Sequence, residues 1–188
     1  MSRADGAERF LAAATALGIV GGVSALTMQG IATEAGVSKA LVLYHFDDKR
    51  ALLRALALRL AAADAAALRA ASETEDPFDA WLTLGADIEG AGRRALLAAL
   101  MLEATVRGLA PEIHGARQQA AGGLATAMLA AAGLVPRVSG TLLGRVLLQQ
   151  LDGIAASVGE RLDGDAAPRA SLDAFALALL SLGESAPA

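Results

Sequence analysis

Apolar residues recur along this chain at three- and four-residue spacing, and no stretch alternates with period two over a strand's length. That pattern predicts helices nearly throughout, with breaks where Gly and Pro fall. The first helix covers residues 5–20 and stops at Gly21-Gly22. A second covers 27–35 with Thr27 as its N-cap, and a third covers 38–45 with Ser38 as its N-cap after a Gly36-Val37 turn. Asp48 caps a long fourth helix, where its negative charge suits the helix dipole. Leu52, Leu53, Leu56, Leu60 and Ala63 line one face of that helix.

The stretch SETEDP, Ser72 to Pro77, breaks the pattern. Pro77 fits the first turn of a fifth helix that carries Phe78, Trp81, Leu82 and Ile88. Gly90 and Gly92 precede a sixth helix over 93–107, and a seventh covers 111–132. An eighth covers 138–159, a polar loop runs from Glu160 to Pro168, and a ninth helix covers 169–182. The fold class expected is all-α, with about nine helices.

The second and third helices are short, joined by a Gly-bearing turn and preceded by a longer helix, which is the layout of a helix-turn-helix. Ile31, Ala35, Val37 and Val42 are apolar where the two helices must pack, and Ala32 is small where their backbones approach. Gly36 stands where the chain leaves the second helix and needs positive φ. At 100° per residue the third helix sorts into two faces. Val42 and Phe46, flanked by His45, share a side with Lys39, while Ala40, Leu43 and Tyr44 lie opposite.

An outward Leu and Tyr are costly unless something covers them. The DNA major groove is one such cover, since Ala and Leu pack on thymine methyl groups and Tyr bonds a phosphate or a base edge. Backbone amides at the helix starts, Thr27 and Ser38, can also take a phosphate. Each residue has a plainer reading beside this one. His45 can be a packed or capping imidazole, Tyr44 can close over the first helix, and Lys49 can be a solvated helix residue.

Charge sharpens the picture at one end only. The net charge of -4 argues against a uniformly basic coat for nucleic acid. Residues 1–60 nevertheless hold seven Lys/Arg against five Asp/Glu, and the remainder holds nine against fifteen. Both lysines, Lys39 and Lys49, fall inside the fifteen residues from Ala35 to Lys49. The absence of Cys excludes disulfides, thiolate metal sites and Cys nucleophiles, and suits a reducing cytoplasm. Residues 10–33 carry no charge over a length that could span a bilayer, but Gly, Ser, Thr, Gln and Ala make them weakly hydrophobic. Asp5 and Glu8 do not suit a signal peptide, so a soluble cytoplasmic protein without a membrane partner is expected.

No enzymatic constellation is visible. His114 lacks H-E-x-x-H spacing, and neither G-x-S-x-G nor a phosphate-loop pattern occurs. Asp152 with Glu160 reads as surface or cap chemistry. No catalytic residue, metal or cofactor is expected.

From Glu8 to Leu53, ERFLAAATALG through TMQGIATEAGVSKALVLYHFDDKRALL, the chain resembles the TetR family of bacterial transcriptional regulators. The pieces A-G-V-S-K, Y-H-F and aspartate followed by Lys carry that resemblance. It implies an N-terminal three-helix DNA-binding domain, residues 1–48, and a helical ligand-binding and dimerisation domain, residues 49–188. By position it places Thr27, Lys39, Ala40, Leu43, Tyr44, His45 and Lys49 at double-stranded DNA, and the helix-start argument adds Ser38. Leu43 departs from the family, which usually has an aromatic there to meet the backbone, and Tyr44 is next along. Asp47 and Asp48 stand where a neutral pair is common and should lower non-specific affinity.

The resemblance also implies a small-molecule effector. Apolar candidates to line its pocket are Leu60, Trp81, Leu84, Ile88, Met101, Met128 and Leu148. Glu103, Thr105, Gln149 and Asp152 are candidate orienters, with ordinary core as the alternative for all of them. Few aromatics are on hand to stack a planar cation, so a hydrophobic or acyl-like effector is expected. The last two helices have wide apolar faces and small residues, Gly144, Gly153, Ala155, Ala156, Ala176 and Ala178, that allow close approach. Paired with their copies they would form a four-helix homodimer interface; otherwise they cap the monomer core. The function expected is a homodimeric repressor of a palindromic operator, and the alternative is a helical ligand-binding protein with lost or weak DNA binding.

Overall fold

A computed structural model describes residues 3–157 and 166–185. Ten helices and one short two-stranded ribbon are found among the described residues. In order they are α1 (Arg3–Ala25), α2 (Met28–Glu34), α3 (Lys39–His45), α4 (Lys49–Ser72), α5 (Pro77–Ala86), α6 (Ile88–Leu102), α7 (Ala104–Arg107) and α8 (Ala110–Ala131). Then follow β1 (Leu134–Pro136), α9 (Gly140–Ser157), α10 (Ala166–Leu180) and β2 (Gly183–Ser185). The fold is all-α, as the periodicity predicts. The chain clusters into two compact units. One unit holds Met1–Ala61 with Arg93–Ile113, and the other holds Ala62–Gly92 with His114–Ala188.

The first unit is built on apolar faces that meet around α1. Phe10 and Ala14 of α1, Ile31 and Ala32 of α2, Val42 of α3 and Leu52 and Leu56 of α4 are all fully buried. Leu97, Leu100 and Ile113 complete the same core. Each large side chain contributes roughly 1.5–3 kcal/mol by leaving water. The first half of α4 belongs here because Leu52, Leu53, Leu56 and Leu60 point into this core. Over Asp5–Ala25, α1 is long and apolar enough to cross a membrane by length and composition, and within this unit its Phe10 and Ala14 are buried in the core. Its expected break is present at Gly22, where φ is 66° and the helical path is interrupted.

The second unit has its own core of Leu68, Trp81, Leu124, Met128, Leu147 and Leu151. Asp76 caps α5, accepting from the amides of Phe78 and Asp79, and Pro77 sits in the first turn as expected. The buried Trp81 donates from Nε1 to the carbonyl of Leu172 at 3.3 Å and stacks at a tilt on Phe175. Helix α8 approaches α9 so closely that a Cβ at Gly144 would lie 2.0 Å from the Gln118 carbonyl oxygen. Gly144 and Ala155 are therefore used inside the chain, while Gly153, Ala156 and Ala178 remain exposed.

Four features differ from the sequence expectation. Helix α6 begins at Ile88 and runs through Gly90 and Gly92, because Asp87 supplies the start and its carboxylate lies against Gly90. Ile88 consequently leaves the core face of α5 and is 60% exposed. The helix expected over 93–107 is interrupted at Glu103, whose extended backbone (ψ 129°) starts α7 and lets Val106 reach the core. Last, β1 and β2 pair antiparallel, with Val135 opposite Glu184, and Arg137 donates from its amide to the Leu182 carbonyl. The Glu160 to Pro168 loop expectation falls largely outside the described residues.

Candidate nucleic-acid interface

Three local devices shape the α2–α3 pair. Thr27 Oγ1 accepts from the Gly30 amide at 2.9 Å and starts α2. Ser38 Oγ accepts from the Leu41 amide at 3.3 Å and starts α3. Between them the chain turns at Gly36, with φ 65°. The Val37 amide bonds the Ala32 carbonyl and the Gly36 amide bonds the Thr33 carbonyl, the two bonds of a Schellman stop. Arg9 adds a side-chain hydrogen bond from α1 to the Ala35 carbonyl, satisfying another acceptor at the same helix end. The sequence reading missed this tie, which joins residues 26 apart.

Helix α3 divides as its 100° spacing predicts. Val42 and Phe46 are buried, and Lys39 and Ala40 are exposed. Leu43 is 40% exposed and Tyr44 67% exposed. Asp48 Oδ1 accepts from the Ala51 amide at 2.7 Å and starts α4, which leaves Lys49 and Arg50 exposed on its first turn. Arg50 was not singled out from the sequence, although it directly follows Lys49.

His45 packs between two other rings. Its ring lies edge-on to Phe10, with centroids 5.0 Å apart, and edge-on to Tyr44 at 5.5 Å. Gly6 of α1 sits beneath it, and Nδ1 is buried without a hydrogen-bond partner. The imidazole thus turns toward α1, because Gly6 leaves room there and Phe10 offers an apolar surface.

The candidate effector residues are divided. Trp81, Leu84, Met128 and Leu148 share the core of the second unit. Leu60 and Met101 belong to the core of the first, where Arg54 also donates to the Thr105 carbonyl at 3.4 Å. Glu103 and Gln149 are exposed. Asp152 binds Arg117, Oδ1 to Nη2 at 2.6 Å. The same guanidinium meets Asp64 from Nε at 2.7 Å. Burial works to lower the Arg117 pKa, but hydrogen bonding to Asp152 and the charge of Asp64 outweigh it and hold the pKa above its ordinary value. Among the described residues no group of three or more His, Asp or Glu is placed to hold a metal ion.

Comparison with known proteins agrees with this geometry. Residues 10–56 match the family model of bacterial regulatory proteins, tetR family. In fold the chain is similar to a transcriptional regulator from Rhodococcus sp. Rha1, with TM-score 0.74 and 18% identity over 96% of this chain and 99% of that one. It is similar also to a TetR-family transcriptional regulator from Agrobacterium tumefaciens, with TM-score 0.70 and 19% identity over 97% and 100%. A third similar structure is the fatty acid degradation regulator FadR from Bacillus halodurans, with TM-score 0.66 and 17% identity over 93% and 94%. No match to a curated protein sequence reaches significance.

Proposed function

We propose that this chain, whose N-terminal segment belongs to the tetR family and whose fold is that of TetR-family regulators, is a cytoplasmic repressor. It acts as a homodimer on a palindromic operator and is released by a small, largely apolar effector. The observation that carries the reading is α3 itself. It is a capped helix of seven residues that buries Val42 and holds Leu43 and Tyr44 outward.

In this reading Ala40, Leu43 and Tyr44 enter the major groove, and methyl-bearing thymine steps suit them best. Lys39, Lys49 and the adjoining Arg50 grip phosphates at the edges, with Thr27 and Ser38 at the helix starts. Asp47 and Asp48 repel the backbone nearby and keep non-specific binding weak. Helices α9 and α10 of each copy pair to form the dimer, which sets two recognition helices about 34–36 Å apart. An effector held by the aliphatic core residues of the second unit, around Trp81, Met128 and Leu148, favours a state in which that spacing no longer fits DNA. The likeness to a fatty acid degradation regulator is in keeping with an acyl-like effector.

Selection of bound sites from a random duplex pool tests the reading. Two inverted half-sites centred one helical turn apart are expected, with affinity falling steeply as salt rises. A flat, negligible response to salt would favour a ligand-binding protein without DNA function. Release of the selected duplex by polar compounds only, and never by acyl compounds, would refute the effector class.

A further inference from the structure

We infer that His45 is a positioning residue for Tyr44, acting through ring contacts and not by touching DNA itself. The inference rests on the proposed role of α3 and assigns that role's aromatic contact a mechanical support. Tyr44 stands largely in solvent, and an exposed tyrosine loses rotamer freedom when it is fixed against a partner. A ring that already restrains it reduces that loss.

The restraint is a chain of three rings. Phe10 is fully buried in α1 and anchors the chain in the core. His45 meets Phe10 edge-on, at an interplanar angle of 78°. Tyr44 meets His45 edge-on in turn, at 84°. Edge-to-face packing at these separations is the favoured geometry of aromatic pairs. The seat of the imidazole is shaped by Gly6, where a Cβ would come within 2.5 Å of Cε1 and 2.8 Å of Nε2. Glycine is otherwise a poor helix residue, so the ring above it is a use for the missing side chain. The unpartnered, buried Nδ1 points the same way, since that edge of the ring offers nothing to a phosphate or a base.

The test uses the full chain and exploits the fact that Tyr44 is its single tyrosine. Protein labelled in the tyrosine ring gives one ring signal, read by NMR without DNA. His45→Ala and Gly6→Ala should shift and sharpen that signal as the ring gains freedom, whereas His45→Phe should leave it ordered. Helical circular dichroism should be unchanged in all three. With the duplex recovered from random-pool selection, His45→Ala should weaken binding about two- to tenfold at an unchanged salt slope. His45→Phe should restore most of that loss, and Tyr44→Ala should cost less in the His45→Ala background than alone.

Three results would overturn the inference. One is an unchanged tyrosine signal in His45→Ala, which removes the restraint whatever the DNA data show. Another is failure of His45→Phe to restore binding together with a salt slope reduced by about one, the mark of a lost phosphate contact. The third is full additivity of the Tyr44 and His45 substitutions. Failure of the wild-type protein to bind any duplex refutes the DNA-binding role separately, since the ring signal is read without DNA.

Discussion

Arg117 and Asp64 face each other inside the second unit, Nε to Oδ2 at 2.7 Å, with side chains only 4% and 8% exposed. Asp152, 39% exposed, closes the other side of the guanidinium. One cation thus holds carboxylates from α4 and α9 against α8. The pairs join residues 53 and 35 apart in sequence.

Arg117→Met should therefore be costly, because it leaves the buried Asp64 without its guanidinium. A loss of about 3–5 kcal/mol is expected for breaking one side of a buried ion pair. Urea unfolding at neutral pH measures it. A loss below about 1 kcal/mol would mean that the network behaves like an exposed pair.

Gly144→Ala should destabilise by about 1–3 kcal/mol, since the added Cβ meets backbone on α8 that cannot move aside cheaply. Gly115 is the internal control: it is exposed in α8 and has nothing within 4 Å of an added Cβ. Gly115→Ala should raise stability by about 0.5–1 kcal/mol. Equal effects at the two sites would contradict the close α8–α9 approach.

Lys49→Ala should weaken binding to selected and random duplexes alike and lower the salt slope by about one. Leu43→Ala should behave differently, changing the preferred sequence by about 1–3 kcal/mol at the affected base pair with little change in slope. Fluorescence anisotropy over a salt series separates the two. A sequence-selective loss at Lys49 would exchange the assigned roles.

Leu177 on α10 is 70% exposed, with Ala174 and Ala178 exposed beside it. If copies pair through α9 and α10, Leu177→Arg places a charge in the middle of that contact. Sedimentation should then report monomer at concentrations where the wild type is dimeric, with helical content preserved. An unchanged dimer would move the interface elsewhere.

Much of the helix-turn-helix was legible before any tertiary structure, because its determinants act over a few residues. Thr27, Ser38 and Asp48 reach amides three residues on, and Gly36 meets a local need for positive φ. The split of α3 into Val42 inside and Leu43 and Tyr44 outside follows from helical pitch. The break at Gly22 and the start at Pro77 are of the same kind.

What tertiary structure alone decided has partners far away along the chain. Pitch puts His45 at the border of two faces, and only Gly6 and Phe10, brought over it by α1, turn it inward. Gly144 looks like any small residue suited to a dimer seam until α8 is seen against it. Asp152 has a carboxylate's chemistry in the sequence, but Arg117 35 residues away consumes it. The extent of α6 through Gly90 and Gly92 also exceeds what local propensity suggests, since burial of Ala91, Leu96, Leu97 and Leu100 along it outweighs the cost of glycine. Caps and pitch depend on neighbours the covalent chain guarantees, whereas these contacts depend on which distant surfaces the fold brings together.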